Sequence, residues 1–553
     1  MAILVVKKSI MHRYQNIGQA IQEAEAGDFI EIRDGVYEES IDIPKRLILY
    51  GVGNVTIKGG VFIRYHTHVE MRNLRFSQGQ GIYIKGDLQL ENCVIEHQLV
   101  RTQVAVSFGS LMMKNVDLLA SSLNQYGLRI DNGSSVVLTD STIQHHTKAQ
   151  IIAQNSELAM TNCMLLEGQM NAIFAIGNMK MDIANCEIHG HQKTQFVAAS
   201  STISMKNTLI HQGQDLGMQM FDHCKMMMEL CEVKQHGGTN MVVHESELKV
   251  SDCVFAEGQG NGIYVGEHSK ALIYACQLSR HNKPQLFIEN SKAEVHKCTI
   301  RNGATSGLTI FNEADVTMTE CKIQHHPQFH IIVDASGLQL NHAIIEHGQT
   351  GGIYGNEHAK ITLKHTTIQE VNSHHLYINH ARLFVENSTF AHIIGNGITC
   401  IDAIFEILNS DFINARQSPY AIIWSDKSMG RIENCDVHEC ERVILAMTNQ
   451  SLLEIVNTNL AKVKTAAIVQ EKSQLYVRGY AHGATWQGDA SSKIINSDLK
   501  STVSNENIQH IVNLLSTANT LNVQQLNKEL QIPAEVLQEI STILRSKDIK
   551  KTM

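Results

Sequence analysis

Histidines stand at 146, 191, 236, 281 and 326, and cysteines at 186, 231, 276 and 321, so two residue types recur at a fixed step of 45. Self-similarity at one period marks a solenoid, in which each repeat buries its apolar face against its neighbours. Read alone, TECKIQHHPQFHIIVD at residues 319–334 looks like a metal site built from Cys321, His325, His326 and His330. The period assigns these residues instead to repeated structural positions.

The finer period is half as long. Asn, a small or apolar residue, any residue and an aliphatic or Phe recur as NCVI (92–95), NCML, NCEI, NTLI, NSTF, NSDF, NCDV and NTNL (457–460). The residue after the Asn position falls at 74, 93, 116, 141, 163, 186, 208, 231, 253, 276, 298, 321, 342, 366, 388, 410, 435 and 458. Central steps mostly alternate 22 and 23, which makes 45 a two-coil unit. Each coil holds three short period-two alternations, the pattern of strands, and Asn suits the left-handed backbone of a sharp bend. Three strands and three bends per coil predict an all-β solenoid, a right-handed parallel β-helix of about 18–20 coils. At roughly 4.8 Å per strand, the rod is on the order of 90 Å long.

Nine of the twelve cysteines occupy the position after the Asn: Cys93, Cys163, Cys186, Cys231, Cys253, Cys276, Cys298, Cys321 and Cys435. Lying two residues before an inward aliphatic, they read as small core fillers. Unpaired thiols in this number suit a reducing compartment. A net charge of -9 gives no basic excess to attract nucleic acid. MAILVVKKSI is too short an apolar run for a signal peptide, and no later run approaches a membrane span. A cytoplasmic location is the default expectation.

From Tyr14, YQNIGQAIQEAEAGDFIEIRDGVYEESIDIPKRLILYGVG places Ile17, Ala20, Ile21 and Ala24 at helical spacing, followed by strands and the turn Asp34-Gly35. An amphipathic helix here would cap the first coil. This opening resembles that of the pectin-lyase-like family, which includes pectin methylesterases and many bacterial proteins of unassigned role. The resemblance implies the fold, while function has to be argued from sites. In enzymes of that superfamily, chemistry uses carboxylates or basic groups projecting from one strand face.

The corresponding strand starts nine residues after the Asn-following position, with inward aliphatics at plus ten and plus twelve. The outward residue between them is Ile152, Phe174, Val197, Gln219, Val242, Tyr264, Phe287, Thr309, Ile332, Tyr377 and Thr399 in turn, and none is acidic or basic. An apolar, aromatic stripe that long implies a covering partner. Phe174, Tyr264, Phe287, Tyr354 and Tyr377 are the candidate binding residues, with Gln195, Asn240 and Gln285 as flanking amides. His146, His191, His236, His281 and His326 lie in the preceding bend, one every second coil and so roughly 9.6 Å apart, too far to share a metal. Four residues after each come Gln150, Gln195, Asn240, Gln285 and His330, so a polar ladder is expected, with close pairs such as His189/His191 and His374/His375 as the alternative metal reading.

The expected organisation is a cap and first coils at 1–60, the β-helix at 61–478, a linker at 479–504 and a helical bundle at 505–553. The bundle is read from Ile508, Ile511, Val512 and Leu515, then Val523, Leu526 and Leu530, then Val536, Leu537, Ile540 and Leu544. Its last helix carries Glu535 and Glu539 where DNA recognition needs basic or amide groups. Docking of a protein, self-association or capping of the rod are the readings left.

Two function classes follow. One is a non-catalytic scaffold or binding protein presenting its strand face to a protein or glycan; the other is a carbohydrate-active enzyme, a polysaccharide lyase or hydrolase. No cofactor or metal is called for. Similar openings are attached to AAA-type ATPases, but no Gly-x-x-x-x-Gly-Lys loop occurs here, so such an ATPase would be a separate partner.

Overall fold

The structure is a computed structural model that describes residues 1–9, 11–415, 421–440, 443–460, 465–479 and 485–497. One coil shows how the rest are made. Ile151–Gln154 lies on a first face, Glu157–Thr161 on a second and Met164–Leu166 on a third. Each pairs in parallel with its counterpart one coil on: Ile151 with Ile173, Glu157 with Lys180, Met164 with Glu187. The first face stacks 21 strands in this way, from Ile41–Ile43 to Thr485–Gly488, more than the 18–20 coils expected.

Three single residues with left-handed backbone close this coil: Asn155, Asn162 and Glu167 have φ of 47°, 54° and 53°. That conformation costs free energy for a residue with a Cβ, and two devices offset it. Along the corner before the cysteines, Asn amides bond to their neighbours, as Asn115 Nδ2 does to Asn92 Oδ1 at 2.8 Å and Asn207 Nδ2 to Asn185 Oδ1 at 2.8 Å. The corner backbone also donates to the following coil, so Leu230 and Ala275 hold the same bend without a side-chain bond, their N–H groups reaching Ser251 O at 3.1 Å and His296 O at 2.9 Å. In the coil expected to turn at 342, the left-handed residue is His342 itself, and Ala343 takes the inward position. The Asn at 341 ends a strand, so the register shifts by one.

The cysteines are all free and buried, and they do more than fill space. Cys163 N donates to Cys186 Sγ at 3.5 Å, Cys231 N to Cys253 Sγ at 3.4 Å and Cys276 N to Cys298 Sγ at 3.4 Å. At the corner between the first and second faces serine takes that role, as in Ser246 N to Ser269 Oγ at 3.2 Å and Ser269 N to Ser291 Oγ at 3.1 Å. A small side chain with an acceptor atom satisfies a backbone donor that the bend turns away from its strand partner.

The two-coil period has a packing cause. At the corner after the third face the inward residue alternates: His146, Gly168, His191, Gly213, His236, Gly258, His281, Gly303, His326, Gly348. Four residues later the alternation is Gln150, Ala172, Gln195, Gly217, Asn240, Gly262, Gln285, Gly307, His330, Gly352. A Cβ on Gly258 would meet Asn240 Oδ1 at 2.7 Å and His281 Cδ2 at 3.0 Å, and one on Gly217 would meet Asn240 O at 2.5 Å and His236 Nε2 at 2.8 Å. Each large polar coil therefore occupies the space left by the bare coils beside it.

At the start of the chain, α1 (Ile17–Glu23) buries Ile17, Ala20 and Ile21 against the first strands. The Glu39 carboxylate accepts from Ile17 N at 2.7 Å and Gly18 N at 2.8 Å, satisfying two open donors of the helix. At the far end the strand pattern passes the boundary expected at 478. Thr485–Gly488 pairs with Thr465–Val469, and Lys493–Ser497 with Gln474–Arg478, so part of the expected 479–504 linker is a further coil. The Gly, Ser and Asp of that stretch had masked short strands. The expected helices at 505–553 lie outside the described residues. Among those described, no helix is long and apolar enough to cross a membrane.

Two outcomes test this packing. Gly217→Ala should lower stability by about 1–3 kcal/mol in denaturant unfolding, because a backbone carbonyl blocks the added methyl. A thiol reagent should label the twelve cysteines slowly in the native protein and fully in denaturant, since burial pushes thiols such as Cys93 up to about 11 and Cys435 up to about 12.

Candidate groove on the first face

The outward residues of the first face form one continuous row, because every coil repeats the pleat of the last. From the N-terminal end it runs Asp42, Phe62, Tyr83, Ala105, Arg129, Ile152 and Phe174. Further along it passes Tyr264, Phe287, Thr309, Ile332, Tyr354, Tyr377, Thr399 and Trp424. Phe174, Tyr264, Phe287 and Tyr377 therefore stand where the spacing put them, and Tyr354 joins the row through the one-residue shift at His342, all five half-buried on this face. Stacking shades the row: Val197, Val242, Thr309 and Thr399 are buried.

Exposed apolar surface gathers instead at the N-terminal end, in Phe62, Tyr65, Tyr83, Leu99, Phe108 and Leu123. The Phe62 and Tyr83 rings stack at 5.4 Å with an 8° interplanar angle, so the other face of Tyr83 looks along the rod toward the next rung. That rung is Ala105, and the one beyond is Arg129. The small residue leaves a slot between a phenol ring and a guanidinium, roughly two strand spacings or about 9.6 Å from rung to rung. It opens into a groove of about 610 Å³ bordered by Leu99, Arg101, Leu123, Ser107 and Asp131. Asp131 accepts from Arg129 Nε at 2.9 Å and orients the guanidinium, which stays 60% exposed.

The expectation that the outward face lacks ionisable groups fails here, at Arg129 and Asp131, one coil before the first residue considered. It also fails in the centre, because the strand carries a second outward residue two positions on. Tyr264 Oη donates to Glu289 at 2.7 Å, Asn312 Nδ2 donates to the same carboxylate at 2.6 Å, and the His244 ring lies 5.3 Å from that of Tyr264. Burial first, and the Glu289 carboxylate next, push the Tyr264 phenol well above its ordinary range. Phe287 continues the stack to Phe311, and Tyr354 stacks on Tyr377 at 5.6 Å.

Gln195, Asn240 and Gln285 do not flank this face. They are fully buried and point into the rod, which removes them as ligand contacts. Their amides serve the interior: Asn240 Nδ2 donates to Val233 O and Ala256 O, each at 2.9 Å, and Gln195 Nε2 donates to His211 O at 2.7 Å. They also meet the histidines, with His191 Nδ1 to Gln195 Oε1 at 3.2 Å, Gln195 Nε2 to His236 Nε2 at 3.2 Å, Asn240 Nδ2 to His281 Nε2 at 2.9 Å and His281 Nδ1 to Gln285 Oε1 at 2.5 Å. His146 Nε2 meets Gln103 Oε1 at 2.8 Å, while His326 packs edge-on to His330 at 5.3 Å. The histidine pairs do not converge on a metal. His374 faces outward to Thr399 Oγ1 at 3.0 Å while His375 is buried, and the His189 ring lies tilted 5.0 Å from that of His211 while His191 is buried.

Comparison with known proteins agrees with this architecture. The family model described as "Right handed beta helix region" matches residues 104–245, 241–370 and 351–479. The chain belongs to this right-handed β-helix family. No curated relative matches the sequence. Among solved structures it is similar to the periplasmic alginate epimerase AlgG, at 10% identity and a TM-score of 0.37 over 57% of this chain and 84% of that one. The PL6 family alginate lyase AlyGC aligns at 9% identity and a TM-score of 0.25 over 90% and 99%. The A-module of the Azotobacter vinelandii mannuronan C-5 epimerase AlgE4 aligns at 10% and 0.23 over 69% and 93%. At these identities the likeness is one of fold alone.

Burial holds the interior rings neutral, pushing His146 and His326 down to about 3 and His191, His236 and His281 down to about 4. A free imidazole titrates at about 6.5. The stability these neutral rings carry is therefore complete above about pH 6.5 and is lost as pH falls from there toward about 3, the range in which the unfolded chain binds more protons. Unfolding at pH 5 should take up about one proton per interior ring, and His236→Gln should reduce that uptake by about one.

Proposed function

We propose that the protein is a carbohydrate-binding β-helix that takes an acidic glycan in the groove around Ala105. The slot between Tyr83 and Arg129 is the observation that carries this reading. The C–H face of a sugar ring packs on an aromatic face, and an arginine fork matches a carboxylate or sulfate through two parallel hydrogen bonds. Arg101 at the groove's edge adds positive charge on a chain that is acidic overall. Buried free thiols throughout the rod favour assembly in a reducing compartment.

A second reading, a carbohydrate-active enzyme, rests on His244, Tyr264 and Glu289 farther along the row. Imidazole, phenol and carboxylate side by side are the groups that move protons in sugar chemistry, and the phenol proton is already held against the Glu289 carboxylate. In that reading the N-terminal groove anchors one end of the polymer.

Calorimetric titration with oligosaccharides of uronic acids and with neutral counterparts separates these ideas. The acidic ligands should bind, Arg129→Ala should weaken them, and Ala105→Phe should abolish binding while the fold persists, because the new ring continues the Phe62–Tyr83 stack. Unchanged affinity in Ala105→Phe would overturn the groove assignment. Turnover of the same oligosaccharides that Tyr264→Phe abolishes would establish the enzyme.

A further inference from the structure

We propose that Asp411, Asp436 and His438 form a binding site on the third face for a divalent transition-metal ion such as Mn²⁺ or Zn²⁺. Asp411 opens the strand Asp411–Ile413 and Asp436 opens Asp436–His438, and the two aspartates are register partners in adjacent coils. His438 follows Asp436 by two residues, so the pleat turns both side chains to the same side. One ligand atom from each of the three residues lies within 4.8 Å of the others. This is the one such set of three among the described residues.

The charge pattern is the second observation. Two carboxylates directly opposite each other on neighbouring strands repel, and several acidic groups elsewhere on the third face have a basic neighbour. Lys234 reaches Glu232 at 2.8 Å, Lys322 reaches Glu346 at 2.7 Å and His211 reaches Glu187 at 3.1 Å. Asp411 and Asp436 have no ion-pair partner among the described residues, and His438 has none either. A dication would turn that repulsion into attraction and tie two coils together from outside.

The donor set selects the ion. Two carboxylate oxygens and one imidazole nitrogen, with the remaining positions left to water, suit a first-row transition ion. Calcium prefers six to eight oxygens and gains little from the imidazole.

The test is Mn²⁺ titration of the full chain, followed by electron paramagnetic resonance of the free ion, with Zn²⁺ and Ca²⁺ as competitors. One ion should bind and be displaced by Zn²⁺ at far lower concentration than by Ca²⁺. Loss of partners merely adjacent to ligands weakens metal sites by about 10–100-fold, so Asp411→Asn, Asp436→Asn and His438→Ala should each weaken Mn²⁺ by about tenfold or more. Without metal, Asp411→Asn should melt no lower than the native sequence, because no bond is lost and a repulsion is relieved, which separates ligand loss from unfolding. The proposal fails if no Mn²⁺ binds or if the double Asp→Asn variant binds it unchanged. It fails equally if His438→Ala binds as before and Ca²⁺ competes on equal terms, since the imidazole is then no ligand.

Discussion

Parallel strands stacked at one spacing leave each coil a single acceptable neighbour, namely one that presents the same N–H and C=O groups at the same places. Long-range order in this molecule comes from that demand. It requires three corners per coil that turn without dropping a backbone donor, and the left-handed residues at positions such as 155, 162 and 167 provide them. The corner side chains then divide the work: amides bond to each other in water, and sulfur or hydroxyl groups inside accept stray amide protons. Apolar burial fills the space between the faces, but the hydrogen-bond register decides which residue faces it.

Much of this register was legible, because a solenoid writes the same position many times. The outward row of the first face followed from counting ten and twelve residues past the cysteine position, and Tyr264, Phe287 and Tyr377 stand on it, whereas Tyr354 reaches it only because its coil slips by one residue. The slip at His342 shows the limit of the method: the Asn signal was followed one residue away from the actual bend, in a coil whose corner residue is histidine. Conformation at that corner is imposed by neighbouring coils, so the local residue need not announce it.

The site was less legible than the fold. The sequence pattern offers Gln195, Asn240 and Gln285 as flanking amides, yet they lie inside, bonded to main-chain carbonyls and imidazoles. Polar residues are usually placed outside by pattern reading, and only the packing shows that alternate coils are hollow enough to take them. The groove escaped for the opposite reason. Its defining residue, Ala105, carries no chemistry of its own, and its importance lies in being smaller than Tyr83 and Arg129 on either side.

The alternation of filled and bare coils also constrains how such a chain can change length. Between about residues 141 and 352, removing one coil would set histidine against histidine, or glycine against glycine over a void. Removing two restores the interleaving. The heritable unit of this stretch is therefore the pair, and insertions or deletions that preserve the rod there come in steps of 45 residues, while the coils outside it are free to vary singly.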